Sequence, residues 1–344
     1  MNTEDEQRYS RQTILPGFGA AGQARLRAAR VLIVGCGGLG GPVAAYLAGA
    51  GIGHLTLVDG DLPHVSNLHR QVFFHTAAPG TKAEQLAQHC RSLNPGTCVS
   101  AQNVYLGPAN VRALVSDADL VLDCTDDAAT KHLLSDACAL LATPLVYAAV
   151  QVFSGYVALF PNRGPEAIHL RDLFAAPDPT LPDCATTGVL PTAVGIVALL
   201  QTNAALCYLL GIGDPPVDAL LTYDALTNQQ HRLKIRKTYS APLSPPWQDA
   251  PTPRESLETE EADFGAYDAV FSLLTSAQEP ALPAGVIRLS HRDPLGQCRD
   301  KMQAGGRYLL YCQTGQRSLV LAAQLRRADP ALDVRSLRGG RVLR

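Results

Sequence analysis

From Arg30 onward, short uninterrupted apolar runs alternate with longer segments of mixed polarity. Residues 31–34, 55–59, 99–104, 120–123 and 145–150 are brief and rich in Val, Leu and Ile, and each reads as a strand. Between them, residues 42–50, 82–93 and 128–141 have the length and residue types of helices. Strands separated by helices of about 10–15 residues predict an α/β fold with a mainly parallel, doubly wound sheet of Rossmann-like type. Strands that are apolar throughout, rather than alternating, fit burial on both faces.

The pattern changes after Val150. Residues 156–160 read as a strand and 192–210 as a long buried helix, and 219–223 and 229–235 as two strands joined by a turn at Thr227-Asn228. Residues 161–191 are rich in Pro, Asp and Gly and have no period, and a loop of that length in a compact domain is usually functional or mobile. Residues 237–262 hold five prolines and then an acidic run, the composition of a linker. The expected organisation is therefore a domain over 1–236, a linker over 237–262 and a small α/β domain over 263–344.

Composition narrows the class. A chain of 344 residues, 47% hydrophobic and 17% charged with net charge −2, is globular, and nothing in it points to nucleic acid or an acidic membrane surface as the main partner. The apolar stretch 194–210 is broken by Gln201, Thr202 and Asn203 and falls short of the ~20 residues of a membrane span. The first eleven residues are polar, with no signal-like core, so a cytoplasmic protein is expected. Nine cysteines, an odd number with no C-x-x-C spacing, argue against a disulfide framework and a zinc ribbon. Most read as small buried hydrophobes, but Cys184 and Cys312 lie in polar, Gly-containing loops.

The first strand opens into Gly35-Cys36-Gly37-Gly38-Leu39-Gly40 and then a helix. Glycines at 35, 37, 38 and 40 let backbone turn tightly and approach a phosphate, whose charge is met by helix N-terminal amides. Asp59, ending the second strand, is placed for ribose hydroxyls. These features alone suit an NAD-dependent oxidoreductase as readily as an ATP-using enzyme. Arg70, in Ser66-Asn67-Leu68-His69-Arg70-Gln71, and Lys82, opening the next helix, add cations that a diphosphate held by amides does not require. Attack at the α-phosphorus of a triphosphate does require them. The fourth strand ends Asp123-Cys124-Thr125-Asp126-Asp127, carboxylates placed over the crevice where one can hold Mg²⁺. Singly, Arg70 and Lys82 read equally well as solvated surface charges, and Asp126 as a helix cap.

Arg8-Tyr9-Ser10-Arg11-Gln12, the 35–41 loop, Asn67-Leu68-His69-Arg70-Gln71 and Asp123-Cys124-Thr125-Asp126 together resemble the MoeB/ThiF family, bacterial relatives of ubiquitin-activating enzymes. The resemblance runs from about residue 8 to 235. It implies that Asp59 holds the ribose, that Asn67, Arg70 and Lys82 contact phosphates, and that Asp126 is the Mg²⁺-side carboxylate. It implies that Arg11 reaches across a homodimer interface into the neighbour's ATP site. The implied substrate is the Gly-Gly tail of a ubiquitin-like sulfur carrier related to MoaD or ThiS, adenylated on its terminal carboxylate. A non-catalytic scaffold that only binds a carrier and a sulfur-donor protein is the remaining alternative. Many members hold structural zinc on two C-x-x-C pairs, which here would fall near residues 167–172 and 237–246. Neither stretch contains cysteine, so no zinc site is expected. Asp127 stands where the family often has asparagine.

Family members place a thiol in the crossover loop, and by that resemblance Cys184 is a candidate to attack the acyl-adenylate or join a carrier thiocarboxylate. Cys312 opens the loop Cys312-Gln313-Thr314-Gly315-Gln316-Arg317-Ser318 between a strand at 308–311 and a helix at 319–326. Backbone amides at a helix N-terminus and a neighbouring Arg317 favour a thiolate there and cradle a persulfide anion. This loop resembles the active-site loop of rhodanese domains, and Leu337-Arg338-Gly339-Gly340 their closing strand and turn. The domain is short for a rhodanese, and around residues 270–275 the usual Asp-Val-Arg signature is missing. A working sulfurtransferase and a degenerate docking module both fit.

Overall fold

The computed structural model describes residues 3–164, 166–177, 188–247, 257–260, 263–276, 278–290, 293–303, 305–313, 315–329 and 331–341. The chain divides into two compact units, residues 1–249 and 250–344.

In the first unit, two helices, α1 (Thr3–Thr13) and α2 (Gly19–Ala28), precede the strands β1 (Arg30–Val34), β2 (His54–Val58), β3 (Cys98–Gln102), β4 (Leu120–Asp123) and β5 (Leu145–Gln151). These five strands pair in parallel in the order β3-β2-β1-β4-β5. Three antiparallel strands, β6 (Ser154–Phe160), β7 (Ala219–Asp224) and β8 (Gln229–Lys234), extend the sheet beyond β5.

Alternation along each strand sends side chains to opposite faces, so a doubly covered sheet needs two cores. Val31 and Ile33 join Leu55, Leu57, Leu120 and Leu122 in one core, with helices α3 (Gly40–Ala50), α4 (Lys82–Leu93) and α7 (Pro191–Leu210). Leu32, Val34, Val58 and Val121 face the other core, covered by α5 (Val111–Ser116) and α6 (Ala128–Leu140). Helix α7 is long and apolar enough to cross a membrane, but half of that stretch is buried in the unit's interior. It is a core helix: Val194, Val197 and Ala198 pack under the sheet, and buried Gln201 donates to the carbonyls of Asp123 and Val146, both at 2.9 Å.

The first unit continues past residue 236. The two stretches where the resemblance would put zinc-binding cysteines do meet, but they are joined by charge. Asp172, its side chain fully buried, accepts from the amides of Thr238 and Tyr239, both at 2.8 Å, and from that of His169 at 3.0 Å. Lys237 Nζ donates to the Ala167 carbonyl at 2.6 Å and lies 3.6 Å from Asp172 Oδ2 and 3.5 Å from His169 Nε2. Arg171 stacks on Tyr239 and forks onto Asp136 at 2.8 and 2.7 Å. This donor set does not fit zinc, because an ammonium already stands among the donors and repels a dication.

The second unit is a parallel sheet in the order β11-β10-β12-β13-β9, built from β9 (Glu258–Thr259), β10 (Ala269–Ser272), β11 (Val286–Arg288), β12 (Arg307–Tyr311) and β13 (Asp333–Leu337). Helices α8 (Pro294–Arg299) and α9 (Gln316–Ala328) complete it. Phe271, Tyr308 and Leu310 face one core, and Val270, Leu309 and Tyr311 the other.

The charged latch makes the first unit acid-sensitive. Burial opposes ionisation of Asp172, yet the amides of Tyr239, His169 and Thr238 outweigh it and hold its pKa below the ordinary value. Burial, then Lys237, holds His169 below its ordinary value as well. With both pKa values depressed in the fold, the unfolded chain takes up protons first, and stability falls as pH falls. Melts are expected to weaken first below about pH 6.5 and again below about pH 4. Replacing His169 with Gln removes the upper step. Asp172→Ala leaves the amides of His169, Thr238 and Tyr239 without their acceptor and is expected to cost about 1–3 kcal/mol at neutral pH.

Candidate functional site

The sheet order reverses between β1 and β4, so the crevice lies above their carboxyl ends, where a doubly wound sheet binds ligands. Gly35 has φ +89°, and a Cβ there would stand 2.6 Å from the Cys124 carbonyl oxygen. A Cβ at Gly40 would stand 2.0 Å from the Gly35 carbonyl oxygen. The glycines therefore let the loop after β1 press against both the loop after β4 and its own helix. No side chain caps α3; the Gly41 amide donates to the Gly37 carbonyl at 3.0 Å and Pro42 has none, so an anion would meet the amides of the glycine loop that leads into the helix.

Asp59 fixes this loop from the side. Its Oδ2 accepts the Cys36 amide at 2.7 Å and its Oδ1 the Asp61 amide at 2.8 Å. Burial raises the Asp59 pKa, and Lys82 pulls it back. Lys82 opens α4 behind a capping box of Thr81 and Glu84. Its side chain is buried, and Nζ donates to Asp61 Oδ2 at 2.9 Å. Burial works against this ammonium, but Asp59, Asp61 and Asp126 together raise its pKa and keep it charged. Tyr105 donates to the other Asp61 oxygen at 2.5 Å.

The segment 65–71 folds over the glycines. Arg70 Nη2 donates to Asn67 Oδ1 at 3.0 Å, and the Arg70 carbonyl would lie 3.3 Å from a Cβ at Gly38. Gln71 is buried with its amide nitrogen over Gly37, and among the described residues its Oε1 finds no donor.

At the end of β4 the three acids separate in role. Asp123 is fully buried, accepts from Thr125 and pairs with buried Lys131 at 3.2 Å. Lys131 also donates to the Ala148 carbonyl and lies over the Tyr147 ring. Asp127 caps α6, accepting the amide and hydroxyl of Thr130, both at 2.7 Å. Asp126 caps nothing and opens to solvent. Protein around the rest of its carboxylate raises its pKa, while Lys82 and Lys131 pull it down. Asp59, Asn67, Arg70, Lys82 and Asp126 thus gather around one glycine turn, joined by Asp61, Tyr105, Gln71 and Lys131.

Arg11 lies elsewhere. Helix α1 docks through Tyr9 against Gly51 and Asn94, and Gln12 donates to the Ala50 carbonyl at 2.8 Å. Those contacts are at the far end of α3, about 16 Å along an eleven-residue helix from the loop. Cys184 lies outside the described residues. Cys36 and Cys124, beside the glycine turn, are buried, and burial pushes both thiols up, so they stay neutral.

In the second unit, Cys312 follows β12 and is buried, with the Ser318 hydroxyl 3.5 Å from its sulfur. The Arg341 amide donates to the Cys312 carbonyl at 2.8 Å. Gly340 lets this happen, since a Cβ there would stand 2.3 Å from that same carbonyl oxygen. Gly315 (φ +81°) ends the loop at the start of α9, in a left-handed turn that glycine takes without strain.

The ThiF family pattern matches residues 9–242. The chain is 41% identical over 263 residues to the sulfur carrier protein adenylyltransferase of Thermus thermophilus, covering 75% of this chain and 96% of that one. It is 33% identical over 370 residues to the probable adenylyltransferase/sulfurtransferase MoeZ of Mycobacterium tuberculosis, covering 99% and 93%. The solved structure of E. coli MccB with ATP shares the fold, with a TM-score of 0.59 at 20% identity over 69% of this chain and 74% of that one.

The glycine packing gives a graded test. Gly40→Ala drives a methyl into backbone and is expected to destabilise the first unit by about 1–3 kcal/mol, and nucleotide-induced stabilisation should vanish. Gly38→Ala meets a Val194 methyl at 2.7 Å, which can shift, so its effect should be smaller. Gly49→Ala, inside α3 with its nearest neighbour at 3.8 Å, should be stabilising by about 0.5–1 kcal/mol. Thermal melts with and without ATP rank the three.

Proposed function

The chain belongs to the ThiF family, and from that premise we propose that it uses ATP to adenylate the C-terminal glycine carboxylate of a small ubiquitin-like sulfur carrier, which its second unit then helps convert to a thiocarboxylate. The observation that carries the reading is the gathering of Asp59, Arg70, Lys82 and Asp126 around an uncapped helix N-terminus built on glycines.

The tail carboxylate is ionised at neutral pH and needs no general base. It attacks the α-phosphorus, pyrophosphate leaves, and an acyl-adenylate remains. Arg70 and Lys82 meet the charge that develops on phosphoryl oxygens and leaving group. Lys82 suits this because it is held by Asp61 rather than by solvent, so little reorganisation accompanies the reaction. Asn67 orients Arg70, and Asp59 holds the loop while presenting its remaining lone pairs to a ribose. Mg²⁺, which takes one or two carboxylates plus phosphate oxygens, fits the solvent-facing Asp126 and would neutralise phosphate charge there. In the second half-reaction the persulfide anion on Cys312 attacks the acyl carbon and AMP leaves, giving an acyl disulfide. A second thiol, for which Cys184 is the candidate, attacks the Cys312 sulfur and releases the thiocarboxylate, leaving a disulfide that a thiol reductant reopens. ATP and reduced thiols are both cytoplasmic supplies, so the protein would act there, with a sulfur-donor protein.

The position of Arg11 supports a homodimer. It stands at the wrong end of α3 for its own crevice, so only a second copy brings it to a nucleotide. Ile14, Leu15, Leu62, Val65 and Val72 are exposed apolar side chains flanking Arg11 and the segment that leads to Arg70, surface suited to a partner subunit.

Carrier-dependent exchange of labelled pyrophosphate into ATP tests the first half. Absence of exchange with every Gly-Gly carrier of the same genome would overturn it. Arg70→Ala and Lys82→Ala should each lower exchange by about 100- to 1,000-fold. Arg11→Ala and Asp126→Ala, each inactive alone, should regain about a quarter of wild-type activity when mixed chains form a closed dimer. No recovery would reject the shared site. Cys312→Ser should leave exchange intact while abolishing sulfur transfer.

A further inference from the structure

The Cys312 loop has a buried acid beneath it that the sequence signature does not announce. Where a rhodanese-like strand would end in its Asp-Val-Arg acid, this chain has Ser272, fully buried at the end of β10. A carboxylate is present all the same, supplied from the following loop by Glu279. Its side chain is 2% exposed, and it accepts the Ser272 hydroxyl at 2.8 Å and the Tyr311 hydroxyl at 2.9 Å on each oxygen. Arg341 completes the cluster, with its guanidinium 3.4 Å from Glu279 and lying over the rings of Tyr311 and Phe264.

This cluster touches the sulfur loop at three consecutive residues. Tyr311, which Glu279 holds, immediately precedes Cys312. The amide of Arg341, whose side chain pairs with Glu279, donates to the Cys312 carbonyl at 2.8 Å. Gln278, next to Glu279, donates to the side chain of Gln313 at 3.1 Å. We propose that Glu279 and Arg341 are a positioning pair that holds the Cys312 loop in the conformation needed for sulfur transfer, taking over the place of the missing signature acid.

Glu279 is buried while Arg341 is 32% exposed, so removing the cation drives the carboxylate toward water and displaces its segment, and removing the acid frees Arg341 and the segment that carries it. Both segments are bonded to the loop. Burial, followed by Glu279, raises the Tyr311 pKa, so the hydroxyl stays a donor across the working range. The inference rests on the sulfur-transfer reading, in which the Cys312 thiolate takes the outer sulfur of thiosulfate, releasing sulfite, and the persulfide passes it to cyanide as thiocyanate.

Full-length protein is tested by thiosulfate:cyanide transfer and by the pH profile of Cys312 alkylation by iodoacetamide, followed on its own peptide. Glu279→Gln and Arg341→Met should each lower kcat for transfer by roughly 10- to 100-fold with KM for thiosulfate nearly unchanged. Both should move the alkylation profile, while carrier-dependent pyrophosphate exchange stays at the wild-type rate. Arg341→Lys, which keeps the charge, should recover most of the activity. Tyr311→Phe, which removes one donor without unpairing a charge, should give a smaller loss and guards against a Glu279 variant that fails to fold. Wild-type transfer and an unmoved profile in Glu279→Gln would overturn the proposal, as would a loss confined to KM. If wild type transfers nothing, the sulfur-transfer reading falls, and an unmoved alkylation profile would then reject the pair as well.

Discussion

The first unit depends on one close approach: the Gly40 α-carbon lies so near the Gly35 carbonyl that a Cβ would stand 2.0 Å from it. The same turn puts Gly35 against the Cys124 carbonyl, so the loops that follow β1 and β4 touch where the sheet order reverses. Side chains larger than hydrogen would separate these loops. Asp59 would then lose the Cys36 amide, and Arg70 would lose the surface over Gly38 on which it rests. A nucleotide-binding crevice in this protein is thus a packing problem before it is an electrostatic one.

The charges come in compensated sets. Lys82 is buried among Asp59, Asp61 and Asp126, and Lys131 is buried against Asp123. Bringing cations to a phosphate site before the phosphate arrives is costly unless neighbouring acids hold them, and these acids do. On the proposed function, an arriving triphosphate would exchange one set of negative partners for another, which would keep the cations in place whether the crevice is full or empty. The second unit applies the same rule on a smaller scale with Glu279 and Arg341. The latch joins two segments through the buried carboxylate of Asp172, which takes three backbone amides and the solvent-edge Lys237, at the place where the resemblance would put zinc-binding cysteines.

Much of this was legible in the residues. The strands 31–34 and 120–123 and the helix 82–93 are written in apolar runs and caps, because burial on both faces leaves little choice of residue. Asp59, Lys82 and Asp126 stand at strand ends or helix starts, where topology alone directs them to the crevice, while Arg70 is carried there by the 65–71 segment. The question of whether Asp126 was only a helix cap is answered by its neighbour, since Asp127 takes the cap. Tyr105 carried no signal, for it meets Asp61 from 44 positions away, and Lys131 reads as a solvated helix residue until β5 closes over it. Helices α1, α2 and α5 are short or polar and gave no periodic pattern to follow.

Local chemistry is set by residue type and chain direction, and these the amino-acid sequence determines by itself: a glycine turn after an apolar strand, acids at strand ends, a cysteine opening a loop before a helix. Which groups become partners is decided by distance in space. Only the tertiary structure placed Arg11 at the far end of α3, put Lys237 among the donors around Asp172, and brought Glu279 under Cys312 from a different loop. Pairing buried charges requires a low-dielectric surrounding that no short stretch of chain creates, and that surrounding exists only once the sheet has closed.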